Sequence, residues 1–183
     1  MLDEFLIRHS APTLAGLKTA NLFWYPWKDE KELGVVLTEW KEIFREKGLD
    51  LRVMKINGQR ALLYVFRIGK LDQELKRKKT REILKSQGYR YETLDEAVEI
   101  LKNRMGDNGS FPHEVGLFLG YPEDDVLGFM VNQGKNCKCC GCWKVYCDEC
   151  SAMKTFCKYK KCEEVYQRLF LAGKPVRQLI VAA

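Results

Sequence analysis

The sequence predicts an α+β domain: a mixed sheet with a central β-hairpin and flanking helices. Three observations carry that prediction. Asn57-Gly58 lies between two β-rich runs, Leu49 to Ile56 and Arg60 to Ile68, and this dipeptide suits the positive φ of a two-residue hairpin turn. Apolar residues recur at helical spacing on both sides of that hairpin. The order of elements, α-β-α-β-β-α-α-β-α-β-α-α, is too irregular for a doubly wound βαβ repeat.

The elements follow in order. Leu2 to Arg8 has the composition of a short helix, which Pro12 is expected to break. Leu14 to Tyr25 is apolar and is expected as a strand entered through a turn at Gly16. Asp29 opens a helix to about Lys47, with Leu33, Val36, Leu37, Trp40 and Phe44 on one stripe and Gly48 at its end. The second hairpin strand, Ala61 to Phe66, is nearly all apolar and so belongs inside the sheet, with Leu62, Tyr64 and Phe66 on one face. Leu71 to Gln87 is a charged helix that Gly88 stops. Thr93 with Glu96 three residues on forms a capping box, and Leu94, Ala97, Val98, Leu101 and Met105 form the stripe behind it.

Residues 106–110 are expected as a loop and Glu114 to Leu119 as a short strand. Pro122 suits a first helical position, and Glu123, Asp124 and Asp125 complement a helix N-terminus. That helix carries Val126, Phe129 and Met130 and ends at Gly134. Trp143 to Tyr146 is expected as a last strand, and Asp148 to Tyr159 and Glu163 to Ala172 as two helices. Trp40, Leu37, Leu101 and Phe129 are expected to be largely buried.

Composition narrows the function classes. The 183 residues are 46% hydrophobic and 31% charged, which excludes disorder and low complexity. No apolar run reaches the ~18 residues of a membrane span, and MLDEFLIRHS lacks the basic start of a secretory signal. The expected setting is one cytoplasmic domain over residues 1–183, with no membrane partner. No Gly-rich phosphate loop follows any expected strand.

Charge and cysteine are both concentrated near the C-terminus. Residues 1–136 hold 22 basic and 21 acidic residues, and residues 137–183 hold 9 and 4. All eight cysteines lie between Cys137 and Cys162, which suits metal, redox chemistry or packed thiols better than a secreted disulfide framework. The segment pairs Cys137/Cys140, Cys139/Cys142 and Cys147/Cys150 at C-x-x-C spacing. Four thiolates can hold zinc, but only six residues separate Cys140 from Cys147, against about 15–20 in a zinc ribbon. The ferredoxin run is interrupted by Trp143. Cys137, Cys139, Cys140 and Cys142 are the candidate metal ligands, with zinc or an iron–sulfur centre as the cofactor of that reading. Cys150, Met153 and Cys157 lie at i, i+3 and i+7 and are expected to be packing residues. The rival reading of the cluster is reduced thiols without a joint role.

His113-Glu114 is a candidate acid–base pair, and the plainer alternative is a histidine satisfied by a backbone carbonyl. Lys76-Arg77-Lys78-Lys79 is expected as a solvated helix face rather than a nucleic-acid contact, since Asp72, Glu74 and Glu82 lie close by.

Three stretches carry a family likeness: RHSAPTLAGLKTANLF (Arg8 to Phe23), FPHEVGLFLGYPEDDVLGF (Phe111 to Phe129) and GKNCKCCGCWKVY (Gly134 to Tyr146). Together they resemble a family of bacterial proteins known as a domain of unknown function and found mainly in anaerobes. The likeness runs nearly end to end. It implies no activity, and Ser10 stands here where such proteins often have cysteine.

The expected functional surface joins the Gly134–Tyr146 loop to His113-Glu114 and to His9. One reading is a protein whose loop thiols bind metal or act in redox chemistry. A second is a thiol-dependent enzyme with Cys137 as nucleophile, His113 as base and Lys144 lowering the thiol pKa. A third is a module whose basic C-terminal part meets an acidic protein partner. Both sharper readings expect the loop to bring Cys137 to His113.

Overall fold

The computed structural model describes residues 1–106 and 111–182. In chain order the described elements are α1 (Leu2–Leu14), β1 (Ala20–Pro26), α2 (Glu30–Glu46), β2 (Leu49–Asn57), β3 (Arg60–Arg67), α3 (Ile68–Lys76) and α4 (Lys78–Ser86). They continue with α5 (Leu94–Gly106), α6 (Val115–Phe118), α7 (Glu123–Val131), β4 (Cys139–Cys140), β5 (Lys144–Val145), α8 (Glu149–Leu171) and α9 (Val176–Leu179). Two compact units emerge: residues 1–70 with 161–183, and residues 71–160. The α+β class therefore holds. Residues 107–110 of the expected 106–110 loop lie outside the described residues.

The first unit is built on a sheet of order β1-β3-β2. Both pairings are antiparallel, so the sheet expected to be mixed is antiparallel throughout. The hairpin forms as expected but its turn is displaced by one residue: Asn57 ends β2 paired with Arg60, and Gly58-Gln59 makes the turn, with Gly58 at φ +54°. β3 is the middle strand, and Ala61 to Arg67 are all buried. Tyr64 and Phe66 stack at 4.8 Å on one face. Ala61, Leu63 and Val65 on the other face join a core with Leu6, Leu14, Phe44, Cys162, Tyr166 and Leu179.

Asp29 caps α2 by accepting from the Lys31 and Glu32 amides. Trp40 packs on Phe44 at 5.3 Å and is buried, whereas Leu37 is half-buried. Pro12 does not break α1. It sits in the last turn, and the helix runs to Leu14 before Gly16 turns the chain at φ +77°. The Arg67 guanidinium donates to the Thr13, Leu14 and Val181 carbonyls at 2.7–2.8 Å, so one buried cation fastens the end of α1 to the C-terminal tail.

The second unit departs further from the expected elements. The single charged helix is two, α3 and α4, parted at Arg77. The run there is ion-paired within the unit: Lys76 with Asp72, Arg77 with Glu74 and Lys79 with Asp124. The capping box forms, with Thr93 Oγ1 accepting from Glu96 N and Glu96 Oε2 from Thr93 N. Leu101 is fully buried behind it.

Glu114 to Leu119 is a helical turn, α6, instead of a strand. Its apolar run is too short to show a period, and Tyr121 N closes back on the Gly116 carbonyl. The strand expected over Trp143 to Tyr146 shrinks to Lys144–Val145, paired only with Cys139–Cys140. The two helices expected after it are one continuous α8. Cys150, Met153 and Cys157, expected as packing, lie on its exposed side. Ala152 and Tyr159 hold the buried side instead. Among the described residues no helix is long and apolar enough to cross a membrane.

Candidate functional site

The second unit contains a cleft of about 260 Å³ lined by Phe111, Pro112, His113, Val115, Gly116, Tyr121, Asp125, Val126, Phe129, Cys140, Gly141, Trp143 and Lys144. Its construction starts at Asp125. This carboxylate is 3% exposed and accepts from the Trp143 indole N–H at 2.8 Å and from the Tyr146 and Cys147 amides at 2.8 and 3.0 Å. A residue expected to complement the start of a helix thus holds the cysteine ribbon. No signal short of knowing which segment lay opposite α7 would have found it.

Two glycines let the segments close on one another. A Cβ on Gly128 would stand 2.5 Å from the Tyr146 ring, and one on Gly141 would stand 2.4 Å from Phe156. Trp143 is stacked on Tyr121 at 5.1 Å and edge-on to Phe156 at 4.5 Å.

Pairing in the β4–β5 ribbon decides where each thiol points. Cys140 lies opposite Lys144, and paired residues share a face, so both reach the cleft. Cys139 lies opposite the fully buried Val145 on the other face. Burial pushes its thiol up, and the charges of Glu149, Cys137, Asp125 and Cys140 add to that. Cys142 turns toward Tyr121 and Tyr159, whose hydroxyls are pushed up to about 12 by burial first and by neighbouring charge second.

The loop and the histidine line one cleft, but the thiol that does so is not the expected Cys137. Cys140 lines the cleft with His113 and Lys144, and Cys137 is not among its lining residues. Cys137 instead lies within electrostatic range of Tyr146, whose buried hydroxyl has no hydrogen-bond partner among the described residues. Alternation read from Lys144 marks Cys142 and Cys140 alike, and only the Cys140–Lys144 pairing separates them. Among the described residues no three His, Cys, Asp or Glu side chains are grouped to hold a metal ion.

His113 and Lys144 share one neighbour. The His113 ring meets Phe129 edge-on at 5.1 Å, and the Lys144 ammonium lies 5.8 Å from the same ring while donating to the Gly134 carbonyl at 2.7 Å. Phe129 is half-buried, not enclosed, because one side faces the cleft. Glu114 does not join them. Its carboxylate is buried and accepts from Arg104 Nε at 2.6 Å and from the Tyr89 hydroxyl at 3.1 Å. It is a buried anchor for α5 and is not among the residues that line the cleft with His113. His9 is packed in the first unit, stacked on Phe23 at 5.2 Å. Burial, then Arg8, lowers its pKa.

Residues 6–180 match a family model described as a protein of unknown function, DUF3793. No curated protein and no solved structure matches the chain.

Proposed function

The chain belongs to this DUF3793 family, and we propose that it is a thiol-dependent protein acting on a small, largely aromatic molecule held in the cleft of the second unit. The observation that carries this reading is the cleft's lining: four aromatic rings, with one thiol, one imidazole and one ammonium among them. Phe111, Tyr121, Phe129 and Trp143 supply apolar walls. Cys140 supplies the nucleophile, His113 the proton acceptor and Lys144 positive charge for an electron-rich end of the ligand. The volume suits a compact ligand, since it lies just under the roughly 300–1,000 Å³ of drug-sized sites.

The test is alkylation by phenacyl bromide, a small aromatic electrophile, with iodoacetamide as the non-aromatic control. The thiol sulfur bonds to the CH2 carbon, bromide leaves, and the thiol proton passes to base. Peptide mapping should show Cys140 favoured over the exposed Cys157 with phenacyl bromide and not with iodoacetamide. Phe129→Ala should abolish the preference. Equal labelling of Cys140 and Cys157 by both reagents would overturn the reading.

A further inference from the structure

Cys147 and Cys150 stand apart from the cleft thiols. Both are exposed and reduced, and they bracket the start of the 23-residue α8. Asp148 caps that helix by accepting from Ser151 N at 3.0 Å, which leaves Cys147 just before the cap and Cys150 in the first turn. Cys147 is held in place: its amide donates to Asp125 Oδ1, and its carbonyl accepts from Lys138 Nζ at 2.7 Å. A fixed, solvent-facing thiol just ahead of a helix, with a second exposed thiol three residues on in its first turn, has the C-x-x-C arrangement of dithiol chemistry.

We propose that Cys147 and Cys150 form a redox dithiol that exchanges with small disulfides, a site separate from the cleft. The Cys147 thiolate attacks one sulfur of a disulfide RSSR. A Cys147–SR bond forms, the S–S bond breaks, and RS⁻ leaves with the proton that Cys147 gave up. The Cys150 thiolate then attacks Cys147 Sγ, forms the Cys147–Cys150 bond and expels a second RS⁻, which takes the Cys150 proton. The protein dithiol loses two electrons and the small disulfide gains them.

The test uses the full chain and oxidised glutathione. Trypsin releases Val145 to Lys154 as one peptide whose cysteines are Cys147 and Cys150 alone. After treatment, quenching and digestion, that peptide should be mainly lighter by two hydrogens. In Cys150→Ser the exchange should stop halfway, with glutathione on Cys147. The proposal is overturned if the wild-type peptide stays reduced while Cys157 takes up glutathione, or if Cys150→Ser carries none on Cys147. Should that variant fold poorly, the wild-type peptide alone decides.

Discussion

Replacing Asp125 by alanine should loosen the cysteine ribbon and lower stability by about 3 kcal/mol. The carboxylate is 3% exposed and serves three donors, on Trp143, Tyr146 and Cys147. Hydrogen bonds to a charged group contribute about 1.5–3 kcal/mol each, which sets an upper bound of roughly 5–9 kcal/mol. The donors belong to half-buried or exposed residues, so water can reach the N–H groups once they are released. Each lost bond then costs nearer ~1 kcal/mol, which gives the expected value. Asp125→Asn separates the contributions. Its amide oxygen still accepts from the two backbone N–H groups, but its NH2 meets the indole N–H donor to donor, for a loss of about 1.5 kcal/mol. Urea unfolding followed by tryptophan fluorescence measures the cost, and hydrogen exchange at the Tyr146 and Cys147 amides locates it. An alanine variant within about 0.5 kcal/mol of the parent, with both amides still protected, would refute the reasoning.

Arg67→Met keeps much of the buried stem but removes every donor to the Thr13, Leu14 and Val181 carbonyls, so urea unfolding should show a loss of about 3–5 kcal/mol, with Arg67→Lys in between. Gly141→Ala drives a Cβ into the Phe156 ring and should cost about 1–3 kcal/mol, and a double-mutant cycle with Phe156→Leu should recover part of it. Burial, then Glu163, raises the Cys162 thiol from 9.0 to about 11, so its contribution is intact below pH 9 and is lost as pH rises from there through about 11, where the unfolded thiol ionises first. Over that window the parent should lose more stability than Cys162→Ala, and equal losses would contradict it. Glu114→Gln weakens the pairing with Arg104 and should lower the melting temperature, while leaving the Cys140 labelling preference in place because Glu114 does not line the cleft.

The hairpin, the α2 cap and the Thr93–Glu96 box were legible because each is written in residues adjacent in sequence. Asn57-Gly58 and Asp29 act on their own neighbours, so no long-range contact can move them. The cleft was half legible. His113 and the cysteine loop line the same cleft, yet the choice of Cys140 over Cys137 depends on a two-residue ribbon pairing that local propensity does not encode. The partners of Glu114 are hidden for the same reason. Its partners, Arg104 and Tyr89, lie 10 and 25 residues away, and a carboxylate next to a histidine in sequence need not face it in space. Cys150 and Cys157 were placed inside because helical spacing shows that residues share a face, but not which face is covered.

The core that β3 enters has a consequence for synthesis. It is completed by Cys162, Tyr166, Val176, Leu179 and Ile180, more than ninety positions after the strand leaves the ribosome. At about 5–20 residues per second, the strand waits roughly 5–20 s for those partners. Its Ala61 to Phe66 run meanwhile has the apolar, uncharged character that invites association between chains. A nascent-chain holdase acting on residues 61–66, or early closure of the Asn57-Gly58 hairpin against α2, would shield it. Ribosome-bound chains stalled before residue 162 are the species in which that shielding is measurable.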